Sequence, residues 1–167
     1  MAVLRWLLTL LLLSAGTPVQ AHMGRTIYLL YPEGADESLA ANIVAAYMGE
    51  QMGREILAEG RKGTASCLDG VIARESPMAL VPADGWESGP SGLVKMDPAI
   101  RVGTSRYVLI MGQEAAGQLQ FSLVRQYLSV LSAGLDGKDL DRSIDLVRRG
   151  SGARKVALDL LREGDML

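Results

Sequence analysis

Residues Thr26 to Trp86 read TIYLLYPEGADESLAANIVAAYMGEQMGREILAEGRKGTASCLDGVIARESPMALVPADGW, and the rhythm of this stretch decides the fold class. Thr26 to Tyr31 is an apolar, β-favouring run halted by Pro32-Glu33-Gly34. From Asp36 to Met52 the apolar residues recur four apart, Leu39-Ile43-Tyr47 beside Val44-Met48-Met52, which predicts a helix. Asp36 is placed to cap it, because a carboxylate accepts the orphan amides of a first turn. Gly53 stops that helix, Glu55 to Ala58 is a second short strand, and a second helix turns Cys67, Leu68, Val71 and Ile72 inward. Met78 to Val81 is a third strand, closed by Pro82 and by Gly85-Trp86. Short apolar strands alternating with helices predict parallel strands joined by right-handed crossovers.

Downstream, a Gly/Pro/Ser-rich loop from Ser88 to Gly92 leads to a strand over Arg106 to Met111, entered from the loop around Pro98. No helical pattern intervenes, so this strand is expected to run antiparallel or to be added at an edge. Leu119 to Leu131 carries Leu123, Val124, Tyr127, Leu128 and Leu131 at helical spacing, and Asp139 to Val147 repeats the pattern with Leu140, Ile144 and Val147. Ser151 is placed to cap a last helix with Val156, Ala157, Leu160 and Leu161 inward and Gly164 as its stop. Arg148 and Arg149 against Asp141 and Asp145 read as a solvated face. The whole predicts a three-layer α/β domain: a mostly parallel sheet of about four strands, flanking helices and a helical C-terminus.

Residues 1–21 read as a leader rather than as fold. Arg5 supplies a positive charge, Trp6 to Leu13 is apolar apart from Thr9, and Val19-Gln20-Ala21 gives small residues for cleavage after Ala21. That apolar run is shorter than the roughly 20 residues that a membrane span needs. Residues 22–167 are then one exported domain, most simply periplasmic. Of the chain's 17 basic and 19 acidic residues only Arg5 lies in the leader, so the domain is slightly acidic. It carries no basic stripe of the kind that nucleic acid requires.

Cys67 is the only cysteine, so no internal disulfide can form; it is either buried or paired between chains, and its row-mates Leu68, Val71 and Ile72 favour burial. The one histidine, His22, would become the N-terminus after cleavage, where amine and imidazole can chelate copper(II). Such a site needs a second imidazole, so no metal and no cofactor is expected. Met48 and Met52 fall in a helical core row and read as core filler. Neither a cysteine–base pair nor a histidine within the fold offers catalytic machinery, and no spacing singles out a carboxylate pair among Glu33, Asp69 and Asp84. The chain is expected not to be an enzyme.

Two places suit a ligand. Gly60-Arg61-Lys62-Gly63-Thr64-Ala65-Ser66 is a turn opening a helix, where backbone amides and a positive dipole end favour an anion; an ordinary helix start is the plainer alternative. Its spacing matches neither a P-loop nor a dinucleotide fingerprint. Trp86 follows the third strand, at the carboxyl end where open α/β sheets bind ligands, and its ring could face a cation, cap the core or meet a partner.

The order of elements resembles the glycine betaine/choline-type periplasmic substrate-binding proteins of ABC transporters. Three segments carry the likeness: TIYLLYPEGADESLAANIVAAYM, KGTASCLDGVIARESPMALVPADGW and the tail FSLVRQYLSVLSAGLDGKDLDRSIDLVRRGSGARKVALDLLREGDML. The resemblance implies one lobe of a type II periplasmic binding protein. The family's second lobe would fall between Trp86 and Leu119, where there is room for a single strand only. It also implies a site for a small zwitterionic or anionic solute of the quaternary amine type, with Trp86, Thr64, Ser66, Gly63, Tyr31 and Glu33 as its candidates. With only one wall, such a site would leave its ligand half in water unless a second copy of the chain supplied the other. Two readings stay open: a solute-binding module, with a transporter implied, and a non-catalytic accessory protein that has lost its solute and docks on a periplasmic or membrane partner.

Overall fold

The computed structural model describes residues 26–84, 86 and 89–167. The expected leader, its cleavage after Ala21 and His22 lie outside the described residues. The chain runs β1 (Ile27–Pro32), α1 (Ala35–Met52), β2 (Ile56–Arg61), α2 (Gly63–Ile72), β3 (Met78–Pro82), β4 (Leu93–Val102) and β5 (Ser105–Gly112). It closes with α3 (Gln113–Ala116), a 3-10 turn (Leu119–Phe121), α4 (Val124–Leu135), α5 (Asp141–Arg148) and α6 (Ala153–Glu163).

One sheet orders these strands β2-β1-β3-β5-β4. β1 pairs in parallel with β2, Ile27 opposite Ile56, and with β3, Leu29 opposite Met78. β5 runs antiparallel to both β3 and β4. It is therefore antiparallel, one of the two expected options, and lies inside the sheet instead of at an edge; the sheet is mixed, with five strands rather than a mostly parallel four.

Right-handed crossovers dictate the layers. The link from β1 to β2 moves one way along the sheet and the link from β2 to β3 moves back past β1, so their helices must cover opposite faces. Leu29, Leu80, Leu109 and Met111 accordingly pack in a first layer with α1, α4, α5 and α6. Leu30, Ala79, Val81, Val108 and Ile110 pack in a second layer with Cys67 and Val71 of α2. Helix α1 lies between the sheet and the last helices, and Leu39, Ile43, Val44, Tyr47 and Met48 are all buried there, as both apolar rows require. The buried Ser76 hydroxyl donates to the Tyr28 and Met78 carbonyls, tying the turn after α2 to the sheet.

Strand β4 was hidden by Pro98. A proline cannot donate to a ladder, so Pro98 masks a segment in which Val94, Met96, Ile100 and Val102 otherwise keep a two-residue spacing. It is accommodated because β4 is an edge strand with its register shifted between Met96 and Ile100. The β4–β5 turn is Gly103-Thr104, with Gly103 at φ 59 and the Ile144 side chain packed so near that a Cβ there would lie 2.8 Å from its Cδ1.

Helix ends differ from expectation. Gly34, not Asp36, precedes α1, and the Asp36 carboxylate instead takes two hydrogen bonds from Arg148 Nη2 at 2.9 and 3.1 Å. Arg148 therefore ties α5 to the first turn of α1 instead of being only a solvated charge. Gly152, not Ser151, precedes α6. The helix expected from Leu119 starts at Val124; Leu119 is 89% exposed and Leu123 49%, while Phe121 is the buried anchor of the 3-10 turn. Ile72, expected inward, is exposed at the end of α2.

Candidate functional site

Parallel strands β2, β1 and β3 all end on one rim, at Arg61, Pro32 and Pro82. Beyond β1 the chain turns toward β2, and beyond β3 it turns the other way toward β4 and β5, so β1 and β3 flank a topological switch point. Open α/β sheets leave a crevice there. The adjoining charges are ordered across the rim. Lys62 and Gly63 follow β2, Glu33 follows β1, and Asp84 and Trp86 follow β3. Neighbouring strands are about 4.8 Å apart, so three ends span about 10 Å.

The six expected residues fall into two groups on this rim. Gly63, Thr64 and Ser66 form the first turn of α2, and Trp86 packs with α2 in the second layer. Lys62 precedes α2 without a side-chain cap, so the first-turn amides of the helix are left open. Gly89 approaches Trp86 so closely that a Cβ there would overlap the indole ring. The indole is thus half-buried structure as well as a rim residue, and only part of it is left for a ligand. Tyr31 instead packs in the first layer, with its hydroxyl 3.2 Å from Ser38 Oγ in the first turn of α1. Glu33 is exposed, its backbone amide donating to the Arg61 carbonyl at 2.9 Å and its side chain lying beside Tyr31 over Gly60. Tyr31 and Trp86 therefore do not form one aromatic cage.

Sequence reasoning missed two members of the rim. Arg61 runs beside α2, paired with Glu59 at 2.8 Å and with Glu75 at 3.3 Å, and its Nε is buried with no hydrogen-bond partner among the described residues. Tyr107 is buried next to the start of α1. Burial pushes its phenol up to about 12; the Glu37 carboxylate adds to this, a Ser105 hydrogen bond opposes it, and Asp36 adds a little more. Its place opposite Pro82 in the β3–β5 ladder put it there, which only the pairing of the strands reveals. Cys67 is buried, as its helical row predicted, and its Sγ donates to the Gly63 carbonyl at 3.4 Å. Burial raises that thiol to about 11, with the Arg61 charge pulling the other way.

Three clefts walled by described residues lie elsewhere. One of about 700 Å³ opens at the opposite end of the sheet, between Ile72, Ser76, Gly112 and Gln118, with Arg74 and Glu114 paired at 2.7 Å on its wall. Another of about 910 Å³ runs between the β4–β5 hairpin and α4, and a third of about 380 Å³ lies beside Gly49 and Arg154. None of the six expected residues lines any of them. No group of three or more His, Cys, Asp or Glu side chains among the described residues is arranged to hold a metal ion, and no helix among them is long and apolar enough to cross a membrane. No protein-family model, curated protein or solved structure matches the chain.

Proposed function

We propose that this chain is an exported, non-catalytic solute-binding module, a one-lobed counterpart of the glycine betaine/choline-type substrate-binding proteins. The observation that carries the reading is the order of charge along the rim at the switch point. The open first turn of α2, next to Lys62, suits a carboxylate. Glu33, one strand over, and Asp84 with the exposed part of Trp86, one strand further, suit an ammonium head. The two charged groups of glycine betaine are separated by a single methylene, so Glu33, the nearer to the helix start, is the carboxylate within reach of its ammonium head. The site is open to solvent, so binding is weak unless a second wall closes over it. Calorimetric titration with glycine betaine tests this: Glu33→Gln should weaken binding several-fold, and an unchanged affinity would remove Glu33 from the site.

A second reading is an accessory protein that docks on a periplasmic or membrane partner. Its support is the set of exposed apolar residues Leu119, Leu123 and Val130, running from the 3-10 turn into α4, each 49% or more exposed.

A further inference from the structure

The sheet has two outer strands, β2 and β4, and only β4 is guarded against further pairing. Proteins blunt edge strands with prolines, bulges and charges, because their free backbone groups recruit other strands. β4 carries Pro98, a register shift between Met96 and Ile100, and the ion pair Lys95–Asp97. β2 keeps an unbroken register with β1 from Ile56 to Arg61 and contains no proline.

The pairing fixes which groups of β2 look outward. The Ile27 amide donates to the Glu55 carbonyl, and the Glu33 amide donates to the Arg61 carbonyl. In this parallel ladder the odd-numbered residues of β2 therefore turn their backbone groups to β1, and Ile56, Ala58 and Gly60 turn theirs to the open side. The Ile56 carbonyl is taken by Arg154 Nη1 at 3.2 Å. Among the described residues no backbone hydrogen bond reaches Ala58 or Gly60 from outside the sheet, and both are partly exposed. They are also the smallest residues of β2, so little bulk meets a strand laid against them.

The charges of β2 select the neighbour. Glu59 and Arg61 alternate with the outward-bonding residues and leave one face together, joined at 2.8 Å. When a second β2 is laid antiparallel about Gly60, each Glu59 faces the other copy's Arg61 in a non-hydrogen-bonded pair, where side chains come closest. Ala58 then lies opposite Lys62, whose amide also has no partner among the described residues. A seam centred on Glu59 would oppose two carboxylates. One centred on Ala58 would need the Ile56 carbonyl, which Arg154 occupies.

We propose that β2 is a self-association edge: two copies of this chain pair their β2 strands antiparallel about Gly60, joining their sheets into one. The contact is isologous, each edge meeting its own copy across a twofold axis. Residues 58–62 make a far smaller seam than the roughly 20–30 residues a side of a stable interface, so the dimer is weak and reversible. The seam lies on the outer side of β2, away from the crevice between β1 and β3, and does not depend on the solute reading.

Sedimentation velocity of the purified protein from about 10 µM to 1 mM tests this, with thermal melts to check the folding of each variant. The unaltered chain should pass from monomer toward dimer with a Kd of about 0.1–1 mM. Ala58→Pro removes an outward amide that the β1 ladder does not use and sets its ring on the edge, so it should weaken the dimer about tenfold or more. Glu59→Arg and Arg61→Glu should each weaken it too, because each puts like charges face to face. An equimolar mixture of these two variants should regain dimer, since the mixed pair restores both opposite-charge contacts. Should Ala58→Pro fail to fold, the mixture decides the matter. A monomer at every concentration would overturn the proposal and leave the edge to a strand of another protein. An unchanged dimer in folded Ala58→Pro, or no recovery in the mixture, would overturn it as well.

Discussion

Tyr31 and Trp86 lie at the ends of neighbouring parallel strands but pack on opposite faces of the sheet, Tyr31 against α1 and Trp86 against the α2 layer. Their roles should therefore separate. Tyr31→Phe loses the contact with Ser38 Oγ and should cost about 1 kcal/mol of stability, read from the urea midpoint, with solute affinity unchanged. A matching loss of solute binding in Tyr31→Phe would show that the two rings act together after all.

Cys67 is buried in α2 with its thiol bonded to Gly63 and pushed up to about 11. A thiol that is both inaccessible and protonated reacts only when the protein opens. Labelling with an aromatic disulfide reagent at neutral pH should be slow in the folded protein and rapid in denaturant. Non-reducing gels should show no dimer linked through Cys67.

Three acids hold their protons more tightly folded than unfolded: Cys67, raised from 9.0 to about 11, Tyr107, raised from 10.0 to about 12, and Tyr47, raised by burial with Tyr127 adding to it. The unfolded chain ionises first, so stability is full below about pH 9 and falls as pH climbs through the folded values. Each shift of about two units is worth about 2–3 kcal/mol at the alkaline limit. Tyr107→Phe should flatten the part of the loss that begins near pH 10, as followed by chemical denaturation across alkaline pH.

Gly103 turns the β4–β5 hairpin at positive φ with Ile144 packed over it. Gly103→Ala should cost about 1–3 kcal/mol, since the residue needs both the left-handed backbone and the missing Cβ. The companion substitution Thr104→Ala, at the exposed second position of the turn, should cost far less. Equal losses would mean that the turn does not depend on Gly103.

The sequence revealed most of the layers, because long apolar rows such as Leu39-Ile43-Tyr47 have one physical solution. It concealed β4, where Pro98 reads as a strand breaker although Val94, Met96, Ile100 and Val102 keep their alternation; the edge position and shifted register that tolerate the proline show only in the strand pairing. It misplaced the caps at Asp36 and Ser151 because capping residue types are also the ordinary residues of first turns; Asp36 was drawn off by Arg148, which is distant in sequence. The site was legible strand end by strand end: β1, β2 and β3 were found, and so was the helix start at Gly63. Which face each side chain took was not, since a shift of one residue along a strand exchanges faces. Tyr31 and Trp86 separated for that reason, and the free outer edge of β2 became visible only with the strand pairing.

The measurement that most directly tests the solute-binding account is Trp86 fluorescence, in protein whose only other tryptophan, Trp6, is removed or replaced by Phe. The titration uses glycine betaine, choline, carnitine, proline and simple carboxylates. A saturable change in the micromolar to millimolar range, lost in Thr64→Ala or Ser66→Ala, is the predicted result. A flat response across the panel, with blue-shifted emission, would contradict the account: Trp86 would then be core or partner surface, and the docking reading would take its place.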